Sequence, residues 1–133
     1  MDLSLLDLKQ EITRINNSLN ISMFGTGLRK QRIILVDGDK IIISADHKRI
    51  PVLAILDQKN RTATRFVDVM ILDEYKQRLK QELITQLKLP VKSVLKDYDP
   101  LCELALTVIV LETALFKEGE QKDGGKIKKN YLD

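Results

Sequence analysis

Tryptophan is absent from this 133-residue chain, and histidine and cysteine occur once each. A single cysteine, Cys102, excludes an internal disulfide and a cysteine metal cage. That fits a reducing compartment. His47 has no second histidine to join it, and a catalytic zinc site wants three protein ligands. No metal and no cofactor are therefore expected. Three Phe and three Tyr leave few platforms for stacking on bases or sugars. Long hydrophobic runs are missing too. The longest uncharged apolar stretch, Leu104 to Leu111, is far too short to span a bilayer. The first residues carry Asp2 and Asp7 and no basic leader, so no signal peptide is expected. The expected location is cytoplasmic.

What is present suits a globular domain. The chain is 44% apolar, and its net charge of +3 rests on 22 basic and 19 acidic residues. A length of this order buries roughly two thirds of the unfolded surface, enough for a core without staples. The strongest pattern runs from Arg65 to Leu87. Val69, Leu72, Tyr75, Leu79, Leu83 and Leu87 recur at three and four and form one stripe. This predicts a long helix from about Thr64 to Leu89, stopped by Pro90. Glu74 and Arg78 stand four apart in the favourable order. Leu5, Leu8, Ile12, Ile15 and Leu19 predict a second amphipathic helix, with Ser4 as its N-cap.

Between them lie two β-branched runs, Arg32 to Val36 and Lys40 to Ala45, around Asp37-Gly38. An Asp-Gly pair in that setting predicts a two-residue hairpin turn with positive φ. Phe24-Gly25-Thr26-Gly27 is a turn from helix to strand, the wrong order for a dinucleotide loop. Pro51 opens a short helix to about Asp57, or a further extended segment, and Gln58 to Thr64 is a polar connection. Val91 to Lys96 and Leu101 to Glu112 predict two more strands around the turn Asp97 to Pro100.

The predicted architecture is α/β (α+β). It is a two-layer sandwich with a mainly antiparallel sheet of about four strands in two hairpins, an N-terminal helix and a long central helix. Residues 1–116 form the single domain and 117–133 a polar C-terminal tail. The strands are apolar on both sides, unlike a sheet with one wet face. With both helices on one side, Ile33 or Ile34, Ile41 or Ile42, and one row of the last strand face outward. Val108 and Ile109 are the candidate oligomer contacts, and a two-fold homodimer is expected. The monomeric alternative sets the N-terminal helix on the second face.

The order of elements, with Phe24-Gly25-x-Gly27, Leu72-Asp73-Glu74 through Leu87, Val91 to Asp97 and the closing Thr107 to Leu111, resembles the MpsC-like family. These are small bacterial proteins named for a sodium-translocating, membrane-potential-generating system. The resemblance covers about Leu5 to Leu111. Leu28 stands where the family often has Pro. The resemblance implies an accessory role beside ion or bicarbonate transport, and it carries over no catalytic residue.

The residues themselves weigh against an enzyme. Asp46 and His47 make half of an acid–base pair at most, and His47 reads as an exposed turn residue. Cys102 lacks an activating base and reads as a small buried hydrophobe. Asp97 and Asp99 read as turn aspartates. The expected function is a non-enzymatic accessory or regulatory protein, with a membrane transport protein as partner. The alternative is a nucleic-acid or general protein-interaction module. Its interaction residues are Arg29, Lys30, Arg32, Lys48, Arg49, Arg61 and Arg65, a basic group in a part of the chain with few acids.

Overall fold

A computed structural model describes residues 3–116, and the tail at 117–133 lies outside the described residues. The order is α1 (Leu5–Phe24), β1 (Arg29–Val36), β2 (Lys40–Asp46), α2 (Pro51–Lys59), α3 (Arg61–Leu87), β3 (Val91–Asp99) and β4 (Leu104–Leu111). The four strands form one antiparallel sheet in the order β1-β2-β4-β3. The class is α+β, as the periodicities predict. No helix among the described residues is long and apolar enough to cross a membrane.

α1 begins where Ser4 Oγ accepts from the Asp7 amide at 3.0 Å. It buries Leu5, Leu8, Ile12, Ile15 and Leu19, the stripe read from the sequence. Gly25 closes it with φ 78°, a left-handed cap that glycine reaches without strain.

The β1–β2 turn has positive φ at Asp37 and Gly38, as expected, but Val36 pairs with Lys40. The loop is therefore three residues, Asp37 to Asp39, and not two. Its carbonyls serve another segment: Gly38 O accepts from Leu115 N at 2.7 Å and Asp39 O from Leu111 N at 2.8 Å. A Cβ at position 38 would also meet the Phe116 carbonyl at 2.7 Å.

α3 starts earlier than the stripe suggests. The expected connection, Gln58 to Thr64, shrinks to Asn60, whose side chain caps α3 by accepting from Ala63 N at 3.1 Å. At 27 residues α3 is about 40 Å long, whereas the nine residues of β3 span about 30 Å. The helix overhangs the sheet. Its second half buries Tyr75, Leu79 and Leu83. Its first half packs on α2 and, through Asp68, on the β2–α2 link, and Val69 is 55% exposed instead of joining the core.

α1 and α3 lie side by side on one face, α1 over β1 and α3 over β3. The monomeric arrangement, with α1 on the opposite face, does not occur. The core joins Ile12 and Ile15 of α1, Ile41 and Ile43 of β2, Tyr75, Leu79 and Leu83 of α3, and Ile109 and Leu111 of β4. Full burial of each such aliphatic side chain is worth about 1.5–3 kcal/mol.

Candidate functional site

Three features stand out beyond the core: an ion-pair clamp, a cleft beside it, and an uncovered sheet face.

The clamp is set by the short link from β2 to α2. His47 N donates to Glu103 O at 2.8 Å, and Arg49 N donates to Glu103 Oε2 at 2.6 Å. This link is tied to the β3–β4 turn and points Arg49 inward. Its guanidinium donates to Asp57 at 2.8 and 3.0 Å and to Asp68 at 2.6 and 3.2 Å. Arg61 donates to Asp68 at 2.9 Å, Thr64 at 3.0 Å and Asp57 at 3.4 Å. Two cations thus meet two carboxylates at the junction of α2 and α3. Hydrogen bonds from Arg49, then from Thr64, lower the Asp57 pKa to about 2. Burial opposes the charge on Arg49, but the two carboxylates outweigh it and raise its pKa.

His47 is not the exposed turn residue expected. It is buried between the rings of Phe24 (4.6 Å between centroids) and Tyr98 (5.4 Å). Tyr98 Oη donates to the His47 carbonyl at 2.7 Å. Burial, then the positive charges of Lys96 and Arg49, lowers the His47 pKa to about 4, so the ring is neutral at pH 7. These groups line a cleft with Ile50, Ile71, Leu72 and Tyr75. Its floor has room of about 30 Å³, enough for a water molecule. Lys96 enters from β3, on the same face as Val94 and Tyr98, and its Nζ sits 3.4 Å from the Tyr75 ring centroid. Burial lowers the Lys96 pKa to about 8. Tyr75 Oη donates to Asn16 Oδ1, anchoring that ring to α1. The Lys96–His47–Tyr98 grouping escaped the sequence reading, although strand alternation sets Lys96 with Val94 and Tyr98 on one face.

On the opposite face no described element covers the strands. The register places Ile34, Ile42, Val108 and Leu95 in one row across β1, β2, β4 and β3. Leu104, Leu106 and Val110 extend the patch along β4, and Ile34, Leu95, Leu104 and Leu106 are exposed. Val108 points to this face. Ile109 points the other way and is fully buried in the core, so it is no contact residue.

The basic group is divided. Arg49 and Arg61 are neutralised within the clamp. Arg29 and Lys48 share a depression with Asp46 and Glu103. Arg65 lies apart, beside Asp68, Asp97 and Asp99. Lys30 and Arg32 are exposed on β1. The result is a surface of mixed sign, not a basic patch. Asp97 and Asp99 serve the turn, accepting from the amides of Tyr98 (2.8 Å), Leu101 (2.9 Å) and Cys102 (3.3 Å). Cys102 is exposed rather than buried, and its hydrogen bond with Asp99 raises its thiol pKa, the opposite of an activated nucleophile. No protein-family model, curated protein or solved structure matches the chain.

Proposed function

We propose that this chain is a non-enzymatic accessory or regulatory protein that works by protein contact, as a two-fold homodimer joined through the open face of its sheet. The observation that carries this reading is the apolar row Ile34, Ile42, Val108 and Leu95. A contiguous apolar patch on a soluble protein marks an interface more often than a solvated face.

A second copy suits this face because its edges differ in sign. In the next row Arg32, Ser44, Leu106 and Asp97 lie abreast, a cation on the β1 edge and an anion on the β3 edge. Packed sheets keep their strand directions within about 30° of each other. A two-fold axis along the strands then lays β1 of one copy over β3 of the other. Arg32 meets Asp97 of the second copy, twice, while Ile42 and Val108 meet between them. Rim pairs of this kind set register more than affinity. The resemblance to the MpsC-like family supplies the wider setting, a component of a membrane ion or bicarbonate transport system.

Sedimentation equilibrium tests the assembly. Val108→Glu yields monomers that keep the native circular dichroism. Arg32→Asp and Asp97→Arg each weaken the dimer, and the double exchange restores it. A single species at the 15.2 kDa chain mass across micromolar concentrations overturns the dimer. Affinity purification from the host tests the setting. Recovery of ribosomal or nucleoid components without a transport component would favour the nucleic-acid reading.

A further inference from the structure

The cleft beneath α3 holds a cation whose hydrogen-bond donors face no acceptor. Lys96 Nζ rests on the face of Tyr75 at 3.4 Å. The ring attracts the charge but leaves three N–H donors without a conventional acceptor. Burial acts alone on the Lys96 charge, with no offsetting carboxylate or hydrogen bond among the described residues. The acid on the cleft wall, Asp68, is engaged by Arg49 at 2.6 Å and Arg61 at 2.9 Å. Arg49 and Arg61 cancel Asp57 and Asp68, and His47 is neutral. Lys48 also lines the cleft but is solvent-exposed at its rim, where Asp46 and Glu103 stand near it. One positive charge is thus left over at the floor, which is walled by Ile50, Ile71 and Leu72.

We propose that this cleft binds a small aliphatic carboxylic acid, its carboxylate on Lys96 Nζ and its hydrocarbon part against Ile71 and Leu72. One unbalanced cation matches a monoanion and leaves a dianion half paired. The apolar walls match a hydrocarbon body. The free floor suits a headgroup of few atoms, with the remainder directed to the opening. This site is independent of the sheet face and of the dimer. Bound acid adds contacts to both α3 and β3, so it couples the overhanging end of α3 to the sheet edge.

The test is an NMR titration of the full chain with sodium butyrate, against sodium chloride and butanol at matched concentrations. Butyrate produces saturable shifts at Tyr98, Ile71 and Leu72, and neither control does. Lys96→Met weakens binding by roughly ten- to a hundredfold, the usual worth of a charged hydrogen bond. Should that variant fail to fold, Leu72→Glu, which brings a carboxylate to the cleft wall, blocks butyrate in the same titration. Affinity falls as pH rises through about 8, where Lys96 loses its proton. Of the groups facing it, His47 is already neutral there, the Tyr75 and Tyr98 hydroxyls keep their protons, Asp68 is ion-paired with Arg49, and Lys48 lies at the exposed rim. Shifts that are linear in concentration, or unchanged in Lys96→Met, overturn the proposal. So does borohydride trapping of butyraldehyde on Lys96 without butyrate binding, which makes the lysine a nucleophile for carbonyl compounds.

Discussion

The two halves of α3 are built on opposite plans. From Tyr75 onward the helix presses Tyr75, Leu79 and Leu83 into the core and leaves Glu74 and Arg78 outside as a solvated pair at 2.6 Å. Before Leu72 it turns Asp68 inward to Arg49 and carries Phe66, Val69 and Met70 outward, with Phe66 71% exposed. α2 follows the second plan, burying Leu53 and exposing Val52, Ile55 and Leu56. The C-terminal half is therefore held by apolar burial. The N-terminal half is held by charge pairs, whose attraction is largely offset by desolvation. Segments with few buried apolar contacts open at lower free energy than the core. The α2–α3 hairpin is thus the weakly held part of a firmly held domain, and its outer surface is the more oily one.

Substitutions can break this contrast. The largest effect falls in the core half, where Leu79→Ala costs roughly 2–5 kcal/mol in urea unfolding. A near-neutral result would mean that the C-terminal half of α3 is not anchored. Arg49→Ala comes next and acts locally. Amide exchange in α2 rises towards that of an unprotected helix while exchange in α1 is unchanged. Acid reaches the same clamp from the carboxylate side. The folded pKa of Asp57, about 2, lies below its ordinary 3.8. Its contribution is therefore complete above about 4 and is lost as pH falls towards 2. Exchange in α2 that is flat across that window counts against the clamp. Phe66→Ser is the smallest, within roughly 0.5 kcal/mol of neutral, as for other surface positions. A loss several times larger in dilute solution would place Phe66 inside a contact.

The sequence disclosed the elements better than their surroundings. The α1 stripe, the positive-φ turn at Asp37-Gly38 and the helix through Tyr75 to Leu83 are local patterns. Each repeats within a few residues and needs no knowledge of the fold. Val69 fits the same stripe yet is exposed, because helix period says nothing about where a sheet ends. His47 looked like a turn residue because its cover comes from Phe24 and Tyr98, both distant in sequence. The Arg61–Asp68 pair follows once α3 is known to start at Arg61, since seven residues are about two turns of one helix, but the pair with Asp57 crosses the break at Asn60 between α2 and α3. Arg49 was out of reach, because its place depends on Glu103 across a β3–β4 turn that the sequence does not connect to it. The spare lysine could have been found, had the alternation in β3 been followed through Val94, Lys96 and Tyr98.

The sheet order has a consequence in time. β4 is the last strand of the described chain, yet it lies between β2 and β3 and hydrogen-bonds to both. A chain emerging in order from the ribosome makes β1, β2 and β3 while the central position is still empty. Until β4 arrives, β2 and β3 each present an unpaired edge, the condition that invites pairing with other chains. Insertion of β4 then closes both edges in one event, and the amides of Leu111 and Leu115 fasten it to the β1–β2 turn. Joining the β1–β2 hairpin to β3 therefore waits on this last strand, and the most vulnerable moment during synthesis is the interval between Asp99 and Leu111.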